Sequence, residues 1–136
     1  MRYFLAKTEP SSYSIDDLAR DQVTIWDGVS NPQALRAIRE MKPGDRVFIY
    51  HSGGQSAVVG LAEVADEPRT DPKHVKLTIV RLRYLAHLDT PVPLAEIKET
   101  GLFPQWALVR QPRLSTMAVP EEFVAWMRTK QQGIKI

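Results

Sequence analysis

The chain has 136 residues, which suits a single domain because typical domains hold roughly 100–200 residues. It contains no cysteine, so disulfide scaffolds, thiolate zinc sites and thiol nucleophiles are excluded. Hydrophobic residues make up 43% and charged residues 25%, a balance typical of folded globular proteins. No apolar stretch approaches the ~20 residues of a membrane span, and no export signal is visible. We therefore expect one cytoplasmic domain over residues 1–136, without membrane association.

The net charge of +2 is unevenly distributed. Residues 1–100 carry 13 Lys and Arg against 14 Asp and Glu, whereas residues 101–136 carry 5 against 2. A second basic stretch runs from Arg69 to Arg83 and holds five cations against Asp71 alone. Such a surface can steer an anionic partner by its electrostatic field. A solvated strand edge explains the same stretch equally well.

The first predicted elements alternate between short strands and short helices. Residues 2–7 are apolar and aromatic and predict a strand. Ser14 then starts a short helix, because its hydroxyl and Asp17 three residues later form a capping-box pattern. Val23–Trp26 predicts a second short strand. Asn31 and Pro32 suit the N-cap and the first turn of a helix over 32–41.

The middle of the chain predicts a sheet with curved strands. Residues 46–52 are apolar on both faces, which is typical of a central strand. Residues 57–64 form the next strand, and Gly60 inside it indicates a bulge or a close backbone approach. Residues 74–85 predict the longest strand. Its inward positions Val75, Leu77 and Ile79 shift by one to Val80, Leu82 and Tyr84, which indicates a bulge or a strong bend.

The C-terminal elements are shorter. We predict a helix over 93–100, β-like pieces over 106–110 and 113–117, and a final helix over 121–130. The strands do not alternate regularly with long helices, so a doubly wound parallel sheet is disfavoured. A small, curved, mostly antiparallel β-barrel with peripheral helices, an α+β fold, fits the order of elements better.

Known enzyme motifs are missing from the sequence. It has no phosphate-binding loop, no dinucleotide-binding glycine pattern and no nucleophile elbow. Its three histidines, His51, His74 and His87, lack partners at metal-ligand spacing, so we predict neither a metal nor a cofactor. Lys7 and Glu9 share a strand face and suit acid–base chemistry if they are desolvated, but a strand-end ion pair is the favoured interpretation.

The segment from Trp26 to Asn31 is the strongest candidate for ligand binding. An aromatic wall precedes Gly28, which permits close backbone approach, and a helix N-terminus, which presents unpaired N–H groups. These features suit a flat, polar heterocycle. The alternative is that Trp26 fills the core and Asn31 only caps the helix.

Two further segments combine polar groups with predicted strand ends. Tyr50, His51 and Ser52 end a strand that is buried on both faces, where each polar group needs a partner in the chain or in a ligand. Arg110 and Arg113 flank a proline turn and suit phosphate contacts. Ordinary surface charge is the alternative for the two arginines.

Seven ordered segments of the sequence resemble the EVE domain family. They cover nearly the whole chain: residues 3–10, 13–18, 26–31, 40–52, 59–64, 93–98 and 110–115. The resemblance implies a PUA-like fold related to the YTH RNA-binding domain, and a non-catalytic module that reads a modified base in DNA or RNA. Nucleic acid is then the expected partner, with no obligatory protein partner.

The same resemblance implies a set of pocket residues. The expected ligand-binding residues are Trp26, Gly28, Val29, Asn31, Tyr50, His51, Ser52, Leu114 and Ser115, with Lys7 and Pro10 at the rim. The chain departs from the family at Phe4, Thr8 and Ser30, where Trp, Ser and Arg are usual. Loss of the arginine removes a bidentate donor. The middle insertion is shortened to residues 67–72, which leaves the pocket more open.

Two other functions remain open at this stage. Related PUA-like ASCH domains resemble amidohydrolases that act on modified nucleosides through Lys, Thr and Glu, for which Lys7, Thr8 and Glu9 are analogues at the level of the fold. A protein-interaction domain requires an exposed patch around Trp106 or Trp126. Both tryptophans suit a core better.

Overall fold

The computed structural model describes residues 1–136 and shows a mixed seven-stranded sheet with five helices, an α+β arrangement. The strands are β1 (Tyr3–Thr8), β2 (Val23–Trp26), β3 (Arg46–His51), β4 (Ala57–Val64), β5 (Arg69–Asp71), β6 (His74–Pro93) and β7 (Thr116–Ala118). The helices are α1 (Ile15–Asp21), α2 (Pro32–Glu40), α3 (Leu94–Glu99), α4 (Ala107–Arg110) and α5 (Glu121–Lys130). None of these helices has the length and apolar character needed to cross a membrane.

The sheet is open rather than closed. Its strand order is β2-β6-β4-β3-β1-β7, with β5 beside β6. Only the β1–β3 pairing is parallel, and the other five pairings are antiparallel, as the prediction of a mostly antiparallel sheet requires. Strands β2 and β7 stand at opposite ends of this order and do not pair with each other. The predicted barrel is therefore not confirmed.

Strand β3 lies at the centre of the sheet, between β1 and β4. Residues Val47 to Tyr50 are all buried, because helices or other strands cover both faces of this strand. The parallel pairing with β1 places the ends of the two strands side by side, with Thr8 opposite His51. The segments that follow both strands therefore start from the same edge of the sheet.

Strand β6 exchanges partners along its length, which explains the predicted shift of its apolar pattern. Three consecutive residues, 78–80, are buried at the point of exchange. Ile79 pairs with Arg69 of β5, whereas Val80 pairs with Trp26 of β2. The strand also continues well beyond its predicted end.

The prediction that Val75 points into the core is wrong. Val75 is 79% exposed. This part of β6 pairs only with the short strand β5 and lies beyond the residues that pair with β2 and β4. The apolar residues still alternate with polar ones there, but no core lies against them, so they remain exposed.

Gly60 in β4 marks both a bulge and a close approach, as predicted. The register with β6 shifts between Val58 and Gly60. A Cβ atom at Gly60 would lie 2.7 Å from Ile15 Cγ1, closer still to Cδ1 of the same side chain, and 3.0 Å from the Ala86 carbonyl oxygen. The missing side chain thus lets α1 pack directly on the sheet.

The C-terminal third contains a correction. Residues 107–110, predicted as β-like, form the short helix α4, and the neighbouring strand β7 starts only at Thr116. Trp106 precedes α4 and packs on Phe123 of α5, with ring centroids 4.6 Å apart. Its Nε1 donates to the Ala118 carbonyl at 3.0 Å. Trp106 is only 8% exposed and belongs to the core, and Trp126 is partly buried and packs against that core at Phe123, so neither ring forms an exposed patch.

Candidate functional site

Trp26 lies at the end of β2, beside a small recess. Its ring is 9% exposed and meets Tyr13 edge to face, with centroids 6.3 Å apart and an interplanar angle of 85°. The recess has a volume of about 180 Å³ and is lined by Thr8, Tyr13, Thr24, Ile25, Trp26 and Asp27. The indole is therefore largely packed, but one side of it borders a hollow with polar and aromatic walls.

The polar groups around this recess differ in what they still offer a ligand. Thr8 Oγ1 donates to the Tyr13 carbonyl at 2.7 Å, and the Tyr13 hydroxyl donates to Asp21 at 2.9 Å. Burial is the main factor that raises the pKa of Tyr13, so this phenol remains protonated at neutral pH. Asp27 is exposed and forms no ion pair. Its carboxylate is available to a ligand as a hydrogen-bond acceptor.

Gly28 and Asn31 shape the turn from β2 into α2. Gly28 has φ +76°, and a Cβ there would meet nothing within 4 Å. The glycine is needed for its left-handed conformation, and the space beside its backbone is open, so close approach of a ligand to this backbone stays a prediction. Asn31 caps α2 as predicted, because its Oδ1 accepts from Gln33 N at 2.9 Å and Ala34 N at 3.1 Å. Only the Nδ2 amide of the Asn31 side chain remains free to bind a ligand. Val29, which lies between Gly28 and Asn31, is buried.

His51, Ser52 and Pro10 meet in a second, larger pocket. This pocket has a volume of about 530 Å³ and its other lining residues are Glu9, Ser11, Gly53, Gly54, Gln55, Ala57, Val59 and Pro91. His51 Nε2 accepts from the backbone N–H of Ile15 at 3.1 Å. Burial lowers the pKa of His51, so the ring is neutral and carries its proton on Nδ1. That Nδ1–H is a donor which the chain does not use.

Two histidines together hold the first turn of α1. In addition to the His51 bond, His87 Nε2 lies 2.6 Å from Asp16 Oδ1, and His87 Nδ1 lies 2.7 Å from the Tyr84 hydroxyl. Helix α1 follows Tyr13 directly, so these contacts also position the aromatic edge that borders the Trp26 recess.

Lys7 and Tyr50 are partners across β1 and β3 and lie on the opposite face of the sheet from Thr8, and the Ser115 backbone lies beside Lys7. Lys7 Nζ donates to the Pro112 carbonyl at 3.0 Å and lies 5.4 Å from the centre of the Tyr50 ring. Its backbone N–H donates to the Ser115 carbonyl at 2.8 Å. Burial lowers the pKa of Lys7. The predicted Lys7–Glu9 ion pair is wrong, because the ammonium group turns to this backbone carbonyl instead.

Leu114 and the two predicted phosphate ligands lie apart from both pockets. Leu114 is 4% exposed and borders a third hollow, of about 360 Å³, between α2, α4 and β7. Arg110 donates to Gln105 Oε1 at 2.5 Å, and Arg113 is exposed. The sequence-predicted residues thus lie in four places: the Trp26 recess with the turn to Asn31, the His51 pocket, the group of Lys7, Tyr50 and Ser115, and this third hollow. Arg110 and Arg113 line none of these hollows.

Sequence reasoning missed three residues that line the Trp26 recess: Tyr13, Thr24 and Ile25. It named Thr8 only as a hydrolase analogue, and Asp27 only as part of the candidate segment from Trp26 to Asn31. Thr24 had a usable signal, since residues two apart in a strand share a face. The residues around Tyr13 gave no sequence signal that it would lie beside Trp26. It reaches Trp26 because the Ser14 capping box and His51 fix the start of α1.

Comparison with known proteins places this geometry in a family. The model of the EVE domain matches residues 2–130. Human thymocyte nuclear protein 1 is 32% identical in an alignment that covers 71% of this chain and 55% of the human protein. The chain thus spans just over half the length of that relative.

Two solved structures share the fold. The NMR structure of a Rhodopseudomonas palustris protein is 31% identical with a TM-score of 0.91, covering 100% of this chain and 97% of the other. Human THYN1 in complex with DNA that contains 5-methylcytosine has a TM-score of 0.88 at 23% identity, covering 99% of this chain and 100% of the other. The family model, the sequence relative and the fold agree, and the chain belongs to the EVE domain family.

Proposed function

We propose that this chain is a non-catalytic module that binds DNA and reads a modified base, with 5-methylcytosine held at the Trp26 recess. The observation that carries the proposal is the hollow beside Trp26, which has an aromatic wall and a polar rim. The complex of human THYN1 with 5-methylcytosine-containing DNA supports the choice of base.

The size of the recess favours a single ring. Its volume of about 180 Å³ lies below the ~300–1,000 Å³ of pockets that enclose whole drug-sized ligands. A base that leaves the duplex can enter such a hollow while its sugar and phosphate stay outside. Unstacking costs a few kcal/mol, and stacking on an aromatic ring returns about 1–3 kcal/mol. Hydrogen bonds and the shape of the recess around the modifying group must therefore supply the selectivity.

The rim chemistry matches cytosine. The exocyclic N4 amine of cytosine is a donor, and a carboxylate is its usual protein acceptor. Asp27 provides an unpaired carboxylate at the recess, and Ile25 provides an apolar side chain that is 48% exposed. We assign the amine to Asp27 and the 5-methyl group to the apolar side of the recess.

In this proposal the remaining predicted residues either contact the phosphates of the neighbouring nucleotides or hold the surrounding backbone in place. The Nδ2 amide of Asn31 and the Nδ1–H of His51 are both donors that the chain leaves free, and phosphate oxygens are acceptors. Arg110 and Arg113 supply further contacts to phosphates. Gly28 gives the turn its left-handed conformation, and Lys7 holds the Pro112 segment in place.

The hydrolase alternative is not favoured by the positions of its candidate residues. Lys7 and Thr8 are successive strand residues and therefore point to opposite faces of the sheet. The Lys7 ammonium group is bonded to the Pro112 carbonyl, and the Thr8 hydroxyl is bonded to the Tyr13 carbonyl. The two groups do not converge on one reacting atom.

Titration of duplexes that differ in one 5-methyl group tests the proposal. Wild type should bind the methylated duplex more tightly, and Trp26→Ala should remove about 1–3 kcal/mol of binding, which is a factor of roughly 5–150. Trp26→Phe is the matched control that retains an aromatic wall. Asp27→Asn should weaken discrimination between cytosine and thymine at the same position. The proposal would be refuted if folded wild type bound both duplexes equally and Trp26→Ala bound them with the same affinity. Titration with an RNA of the same sequence identifies the preferred nucleic acid.

A further inference from the structure

A basic two-stranded ribbon extends from the sheet. It consists of β5 and the first residues of β6, which pair with each other through Arg69 and Ile79, and Thr70 and Thr78. Beyond residue 80, β6 pairs with β2 and β4 instead. Residues 72–76 at the tip of the ribbon are all exposed. The ribbon therefore reaches past the body of the sheet.

The ribbon carries unpaired positive charge. Residues 69–76 contain Arg69, Lys73 and Lys76 against Asp71, and none of the three cations forms an ion pair. The Asp71 carboxylate accepts from the Lys73 backbone N–H at 2.8 Å, and exposed Glu67 precedes the ribbon.

The next cations along β6 differ from those of the ribbon. Arg81 pairs with Asp66 at 3.3 Å, and Arg83 pairs with Glu63 at the same distance. Lys76, at the exposed start of β6, is thus the one cation of this strand that forms no ion pair.

Helix α2 fixes the ribbon to the rest of the molecule. Arg39 Nε donates to Thr78 Oγ1 at 2.9 Å, and a second guanidinium nitrogen donates to the Lys76 carbonyl at 3.4 Å. Arg39 is itself exposed and adds a fourth cation at the base of the ribbon. The ribbon and α2, which follows the Trp26 turn, therefore form one continuous surface.

We propose that residues 69–76 contact the phosphates of duplex DNA on one side of the modified base, an inference that rests on the proposed function. The major groove of B-DNA admits a two-stranded β-ribbon. Trp26 pairs with Val80, so Lys76 lies four residues and Lys73 seven residues along β6 from the recess. At about 3.3 Å per residue these spacings are roughly 13 and 23 Å. At 3.4 Å per base pair, the ribbon reaches phosphates about four to seven base pairs from the modified base.

The test compares two double variants with the same change in charge. Lys73→Gln/Lys76→Gln removes two cations from the ribbon. Lys98→Gln/Lys135→Gln removes two exposed lysines elsewhere, of which Lys98 lies in α3, next to the opposite end of β6. Binding is measured at several salt concentrations for duplexes with arms of about ten base pairs and of about two base pairs around one 5-methylcytosine, since only the long arm spans the expected reach.

We expect the ribbon variant to weaken binding to the long duplex and to reduce the slope of log K against log salt by about 2, because each phosphate contact contributes about 0.9. Its affinity for the short duplex and its preference for the methylated base should not change. The control variant should leave all of these quantities at wild-type values, since exposed charges are screened beyond about 10 Å at 0.1 M salt.

The outcomes separate the two proposals. If the ribbon variant matches the control variant while Trp26→Ala loses methyl discrimination, the ribbon inference is wrong and the proposed function stands. If wild type shows no methyl discrimination but the ribbon variant still lowers the salt slope, reading of the modified base is wrong and the ribbon remains the DNA contact. Absence of measurable DNA binding by the folded protein overturns both.

Discussion

Gly60 should tolerate no side chain, because α1 packs against it. In Gly60→Ala the new methyl group would lie 2.7 Å from Ile15 Cγ1 and 3.0 Å from the Ala86 carbonyl oxygen. The backbone oxygen belongs to β6 and cannot move far, and Ile15 is only 4% exposed, so it has little room to change rotamer. Overpacking of this kind costs about 1–3 kcal/mol. With a urea m-value of about 1–3 kcal/mol/M, the unfolding midpoint should fall by roughly 1 M.

A double-mutant cycle with Ile15 isolates the cause. Ile15→Ala alone should lower the free energy of unfolding by about 2–5 kcal/mol, since it empties a buried site. In the double variant the alanine at position 60 meets only the Ala86 carbonyl, so the double variant should be at least about 1 kcal/mol more stable than the sum of the single effects predicts. Urea unfolding followed by tryptophan fluorescence measures all four proteins. Additive effects within about 0.5 kcal/mol would show that the close approach of α1 is not what excludes a side chain.

Three further changes probe the anchors of the site. Burial lowers the pKa of folded His51 below its ordinary value of 6.5, so the unfolded chain takes up the proton first as the pH falls. The urea unfolding midpoint should therefore fall as the pH drops below about 6.5. His51→Gln should reduce this pH dependence. Asn31→Ala should lower the free energy of unfolding by about 1 kcal/mol, whereas Asn31→Asp retains the cap; equal losses would contradict this role. Lys7→Met, which leaves the Pro112 carbonyl without its donor, should reduce that free energy by about 0.5–1.5 kcal/mol in the same assay, and an unchanged midpoint would show that the bond is not stabilising.

Elements with strong local signals were predicted well from the sequence. Strand β2 and helix α5 have the predicted bounds, and the Ser14 capping box and the Asn31 cap are present. Each of these features depends on side chains within a few residues of one another. The prediction for residues 107–110 failed because a short apolar run does not distinguish a strand from a helix. Packing of Trp106 on Phe123 favours the helix.

The candidate site was harder to predict, because it is assembled from distant segments. The wall residue Trp26 was identified from its own neighbourhood, but its partner Tyr13 comes from another element. Thr8 of the Trp26 recess and His51 of the His51 pocket are direct partners across β1 and β3, so they share one face at one edge of the sheet. Strand alternation within β1 and β3 reveals this only once the parallel register between them is known.

The position of β1 between β3 and β7 has a consequence for how the chain folds during synthesis. Tyr3 pairs with Arg46, 43 positions later, and Phe4 pairs with Ala118, 114 positions later. Strand β1 therefore keeps one edge unpaired until β7, more than 100 residues later, has been synthesised. Pairings of such high contact order form slowly, in milliseconds to seconds rather than microseconds. That unpaired edge is prone to aggregation in the meantime, and a chain that stops before residue 116 leaves β1 without its outer neighbour.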